Sequence, residues 1–371
     1  MQSSNPKKTE PAAGLYIHVP FCASKCPYCD FFSVAETDKI DSWLEALCRE
    51  LELYREQFPR FETVYLGGGT PSLLSDLQLG ILMDHIRRSV LIDDGAEYTI
   101  EVNPDDVSRE KAHALKALGF NRLSIGVQSF DDRLLGLLKR RHNAEQACAA
   151  IEHAAVAGFD SISLDLMFGL PGQDWEGELA QAVGFEPGHL SCYQLTVKPG
   201  TPFHALHQSG ELEIASDETL VQLFMLTDTI LENFSYVHYE VSNFARDAEH
   251  EARHNSRYWQ HLPYLGLGPS AHSFDGHTRW WNTSSLPEYC SSLAAGSPVA
   301  GRETLNPEQL RLERLMLGMR TQRGIAVEDV RADASVLERL ETAGLVVVQD
   351  GRVMPTARGM LFADRLPLVL E

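Results

Sequence analysis

The chain has 371 residues, 44% of them hydrophobic, which is enough for one large core and a smaller companion. Its 32 basic and 52 acidic residues leave a net charge of −20, which repels nucleic-acid phosphates and anionic lipid in bulk and confines any anionic ligand to a local basic pocket. Seven cysteines, an odd number, without an apolar signal segment or a run of roughly 18 apolar residues, predict a soluble protein of the reducing cytoplasm and argue against a disulfide framework.

Taken in chain order, the polar, proline-containing residues 1–13 predict a disordered leader. From 14 to about 245, short β-branched runs alternate with helix-period segments. Strands are expected near 15–18, 64–66, 98–102, 122–127, 161–166 and 190–196, with a further one at 237–241, and helices at 38–57, 76–89, 108–118, 144–157 and 175–183. Such alternation is the signature of βα units around a parallel sheet, and six or so units predict an incomplete α/β barrel. Residues 246–285, rich in His, Trp, Tyr, Gly and Pro, read as a linker with a role of its own. Residues 286–371 predict a small winged-helix-like module, with helices at 307–319 and 334–343 before a hairpin at 345–354 that turns at Asp350-Gly351.

The working residues of a βα barrel sit at the carboxyl ends of its strands, and the unusual residues of this chain recur there. After the first strand come Cys22, Cys26 and Cys29, three thiols within eight residues. Three thiolates hold an Fe4S4 cube at three irons and leave the fourth open. Zinc prefers ligand pairs separated along the chain and a complete tetrahedral set. After the second strand comes Gly67-Gly68-Gly69-Thr70-Pro71, whose backbone can approach a polar ligand closely, although an ordinary strand-to-loop turn explains such a run as well. Beside the cysteines it becomes a cradle for the amino group of an amino-acid ligand, with Glu101 placed for a ribose hydroxyl pair. Gln128, Arg140 and Asp165 lie at or after strand ends, where solvated or helix-capping roles are the plainer alternative.

The run from His250 to His254 matches the zinc-protease pattern H-E-x-x-H, but that pattern needs a stable helix and a third ligand, so the match is read as chance. His254 also opens His254-Asn255-Ser256-Arg257-Tyr258-Trp259. An imidazole near aromatic residues suits a haem axial ligand, and equally a histidine packed in a loop.

With these residues in view, the chain resembles the radical S-adenosylmethionine (SAM) superfamily and, within it, the oxygen-independent coproporphyrinogen dehydrogenase group. The resemblance runs from Gly14 onward through the cysteine loop with Tyr28, the GGGTP run, and the segments 193–203 and 264–273. It implies that Cys22, Cys26 and Cys29 ligate a [4Fe-4S] cluster and that SAM chelates the fourth iron. It implies further that Tyr16, Gly68, Glu101, Gln128, Arg140 and Asp165 hold that SAM, while Tyr28, Gly69 and Thr70 fall where the dehydrogenase contacts a second one. Two departures from the dehydrogenase stand out: Phe31 occupies the place of its further cysteine, and the extension before Tyr16 is short. The HNxxYW run is similar to the signature of the group's haem-chaperone branch. That branch implies haem bound at His254 and passed to an acceptor apoprotein, with no nucleic acid, no integral membrane segment, and peripheral membrane contact and a homodimer left open. The alternative is radical oxidative decarboxylation of coproporphyrinogen III.

Overall fold

The computed structural model describes residues 12–371, so residues 1–11 of the expected leader lie outside the described residues, while Ala13 already belongs to a strand. Six parallel strands pair in chain order: β1 (Ala13–Val19), β2 (Arg60–Gly68), β3 (Leu91–Val102), β4 (Arg122–Gln128), β5 (Ser161–Phe168) and β6 (His189–Gln194). Period-2 alternation sets their two faces. In β1, Leu15, Ile17 and Val19 are fully buried in the apolar core, while Tyr16 and His18 take the opposite face. The helices between strands cover the apolar face, and their starts are written into the sequence: Ser75 with Gln78 and Asn143 with Gln146 form capping boxes before helices Asp76–Ser89 and Ala144–Val156.

The barrel does not close. Beyond β6 the sheet continues through the antiparallel strands β7 (Val237–Glu240) and β8 (Asn243–Ala245), with β8 next to β6. On the other side β1 pairs in parallel with β9 (Tyr264–Leu267), followed by β10 (His272–Phe274), β11 (Thr278–Asn282) and β12 (Val299–Thr304). The segment expected as a linker, 246–285, is therefore structured: it forms helix Arg253–Trp259 and three strands of the main sheet. The sheet and helix Leu286–Ala295 also carry the large unit past residue 285. A small module follows, in which helices Pro307–Gly318 and Ala334–Thr342 pack with β13 (Ile325–Ala326), β14 (Val346–Gln349) and β15 (Arg352–Pro355) around Leu315, Met319, Val346 and Val353. Helix, helix, hairpin is the predicted order.

Glu50 fastens the β9–β11 extension to the barrel. It is fully buried on helix Ile40–Tyr54, and its carboxylate accepts from Gly268 N at 2.8 Å, Asn282 Nδ2 at 2.6 Å and Tyr289 Oη at 2.6 Å. Burial pushes this carboxyl up to about 7 despite the three donors. Glu50→Ala leaves those donors unpaired and is expected to cost about 3 kcal/mol, read as a lower urea midpoint at unchanged slope.

Candidate functional site

The six strands aim their carboxyl ends at one cavity of about 410 Å³. The cysteine loop forms its rim. The loop is closed at its base by Cys22 N donating to Val34 O (2.9 Å) and Val34 N to Pro20 O (2.7 Å), and it turns on Cys29 N donating to Cys26 O (3.2 Å). His18 braces it from beneath: its Nε2–H donates to Phe32 O at 2.9 Å, so Nδ1 is left to accept from Tyr16 Oη at 3.1 Å. All seven cysteines are free thiols, and Cys22, Cys26 and Cys29 line the cavity.

The glycine run is pinned against this loop. Gly69 N donates to Val19 O at 2.8 Å and Thr70 N to Phe21 O at 2.7 Å, an approach so close that a Cβ on Gly69 would lie 2.6 Å from Phe21 O. Gly68 adopts φ +109° and turns its N–H to Glu101 Oε2 at 3.0 Å. Thr70 Oγ1 stands 3.5 Å from Cys22 Sγ, and Arg140 Nη1 3.5 Å from both Cys26 Sγ and Tyr28 Oη. Arg140 is held by Gly126 O at 2.8 Å and by Asn103 Oδ1, while its buried Nε has no partner.

Deeper in the cavity, Tyr65 Oη donates to Glu101 Oε1 at 2.7 Å, and Ser124 Oγ reaches Asp165 at 2.9 and 3.1 Å. Burial pushes Glu101 up to about 7 and Asp165 up to about 6. Gln128 ends β4 in the left-handed region at φ +68°, a conformation that costs a non-glycine residue about 1–3 kcal/mol and that turns up where a site demands it.

These residues fit the cofactors that the cysteine spacing implies. Among the described residues no three His, Cys, Asp or Glu side chains are arranged around a single metal ion. A tetrahedral zinc site requires that convergence, whereas a cube is held by sulfurs bound to separate irons. Glu101 and Asp165 face the cavity with their carboxyls raised by desolvation, which suits a ligand whose ammonium group and ribose hydroxyls favour the ionised forms.

Of the residues singled out from sequence, Cys22, Cys26, Tyr28, Cys29, Gly68, Gly69, Thr70, Glu101, Gln128, Arg140 and Asp165 all line this cavity. Tyr16 does not; it lies beneath, under His18. His254 does not either. It is 1% exposed, stacks on Tyr65 at 5.0 Å, and has both ring nitrogens engaged, Nδ1 with Thr63 Oγ1 and Nε2 with Tyr258 Oη, each at 2.8 Å. Burial pushes its imidazole down to about 3. An axial haem ligand needs a free, accessible nitrogen, so His254 as placed does not fit that role. His250 lies before the helix that begins at Arg253, which removes the zinc-protease pattern as well.

Ser124 and Gly126 line the cavity but escaped the sequence reading. Their signal is in β4, where Arg122, Ser124, Gly126 and Gln128 alternate with the buried Leu123, Ile125 and Val127. A polar inner face on a barrel strand marks a lined lumen.

Fold and site together define a radical SAM protein: the model of the Radical SAM superfamily matches residues 16–183, and that of the HemN C-terminal domain matches residues 305–362. Within that superfamily the chain belongs to the HemW family. It is 38% identical to the heme chaperone HemW of Mycobacterium tuberculosis, over 95% of this chain and 93% of that one. To the heme chaperone HemW of Bacillus subtilis it is 36% identical, over 95% and 97%. In fold it is similar to the coproporphyrinogen III oxidase HemN of Escherichia coli, a radical SAM enzyme, with a TM-score of 0.82 at 24% identity over 97% of this chain and 90% of that one.

Proposed function

We propose that this protein binds haem and passes it to an acceptor protein in the cytoplasm, and that it carries a [4Fe-4S] cluster on Cys22, Cys26 and Cys29 with exchangeable SAM beside it. The observation that carries this reading is the identity with proteins named heme chaperone along nearly their whole length. In the proposed division of labour, residues 14–245 hold cluster and SAM, and residues 246–371 serve haem and acceptor. No described helix is long and apolar enough to cross a membrane.

Each polar group at the cavity then has a task. The Arg140 guanidinium beside Cys26 offsets negative charge at the thiolates. Glu101, fixed by Tyr65 and Gly68, accepts from the hydroxyls of the nucleoside, and Asp165, fixed by Ser124, accepts from its other donors. The bound cluster and SAM supply one-electron chemistry at the sulfonium. Phe31, 64% exposed at the rim, offers no ligand to a metal.

The test is a pair of anaerobic assays on cluster-loaded protein. Haem is expected to bind and then move to an added apo-haemoprotein, while coproporphyrinogen III stays unchanged and elicits no 5′-deoxyadenosine. Conversion of coproporphyrinogen III without haem transfer would establish the dehydrogenase reading instead.

A further inference from the structure

A second cavity, of about 730 Å³, opens where helix Arg253–Trp259 meets the C-terminal module. Its size is that of small-molecule pockets, which run from about 300 to 1,000 Å³. One wall is Ser256, Trp259 and Gln260; the other carries Arg314, Arg323 and Arg352. In a chain of net charge −20, three guanidiniums on one wall are a local reversal of sign.

Among the described residues, one of the three is paired with a carboxylate and two are not. Arg323 pairs with Glu251 at 2.7 Å. Arg352 is anchored by two backbone carbonyls, Arg323 O at 2.7 Å and Gly324 O at 2.9 Å, so its position is fixed while its charge is not countered. Arg314 is exposed and makes no ion pair among the described residues, and Asp329 is the remaining acidic group of the lining. Behind the indole wall, the Arg320 guanidinium lies 4.7 Å over the Trp259 ring. Trp259 Nε1 and Arg320 Nε are both buried without an acceptor. Arg320 lies behind the lining, so the charged donors that a ligand in the cleft meets are the guanidiniums of Arg314 and Arg352.

We infer that this cleft binds the carboxylate edge of a planar anion and, resting on the haem reading above, that it takes the propionate edge of the tetrapyrrole. Guanidinium forks pair two-fold with carboxylates, and the indole supplies a flat apolar wall. The lining holds no histidine or cysteine, so recognition rests on the macrocycle and its carboxylates and is indifferent to the iron. That separates this cleft from His254, which faces the barrel interior with both nitrogens occupied.

The experiment titrates cluster-loaded full-length protein with haem, iron-free protoporphyrin IX and protoporphyrin dimethyl ester, following tryptophan quenching. Haem and protoporphyrin are expected to bind alike, the ester about tenfold more weakly, and Arg314→Glu to weaken both acids about tenfold while His254→Ala keeps their affinity. Haem bound with unchanged affinity by Arg314→Glu, or haem bound and protoporphyrin refused, overturns the cleft while sparing the haem reading. A parent protein that binds none of the three overturns both.

Discussion

Replacing any one of Cys22, Cys26 and Cys29 by alanine is expected to take the iron content of anaerobically reconstituted protein from about four per chain to near zero. The three thiols share one loop whose base and turn are fixed by backbone hydrogen bonds, and no further cysteine lines the cavity to substitute for a lost ligand. A cube left with two protein thiolates has two open irons and is shed to solvent or chelator. Cys48→Ala is the matched control. Cys48 sits on helix Ile40–Tyr54, away from the cavity, and its removal is expected to leave iron and sulfide unchanged. Iron and labile sulfide assays, with the visible charge-transfer absorption, read the outcome.

Glu101→Ala is expected to weaken SAM binding by about 30-fold, the worth of roughly 2 kcal/mol of charge-assisted hydrogen bonds, while leaving the cluster in place. The same carboxyl gives binding a pH dependence. Without ligand, burial pushes Glu101 up to about 7 from an ordinary 4.5. A ligand that donates to the carboxylate favours its ionised form, so below pH 7 binding must expel a proton. Affinity is therefore expected to climb about tenfold from pH 6 to pH 8 and then level off, measured by calorimetry in two buffers of different ionisation enthalpy. Glu101→Gln is expected to flatten most of that slope. Folding has its own linkage: the native ligand-free protein holds the proton that the unfolded chain releases. The Glu101 contribution to stability is thus fully present below about 4.5 and lost as pH rises through about 7.

The parallel strands were legible because their apolar faces are long and β-branched, and expected boundaries such as 122–127 and 161–166 fall inside β4 and β5. The cysteine loop and glycine run were legible because chemistry restricts those residue types locally. Helix Asp217–Asn233 was not: in DETLVQLFMLTDTILEN apolar residues fall on more than one face, with Val221 45% exposed, so no clean helical stripe appears. The segment 246–285 was read as a linker because its strands β9–β11 are three to five residues long and join the main sheet through β1, about 250 positions away in sequence.

His254 shows the limit most clearly. The residue types of HNxxYW suit a haem ligand, but only the fold reveals that Thr63, on β2 and 191 positions away, takes one ring nitrogen, and that Tyr258 on its own helix takes the other. Tyr65, on which the imidazole stacks, in turn holds Glu101. The motif thus packs against the floor of the cavity while its Trp259 end lines the second cleft.

The most direct measurement is a SAM titration of the reduced, cluster-loaded protein followed by electron paramagnetic resonance. A change in the cluster signal that saturates at about one SAM per cluster, and that is weakened in Glu101→Ala, is the predicted result. A signal indifferent to SAM at full cluster occupancy would contradict the assignment of the cavity between the cysteine loop, Gly68 and Glu101 as the place where cluster and SAM meet.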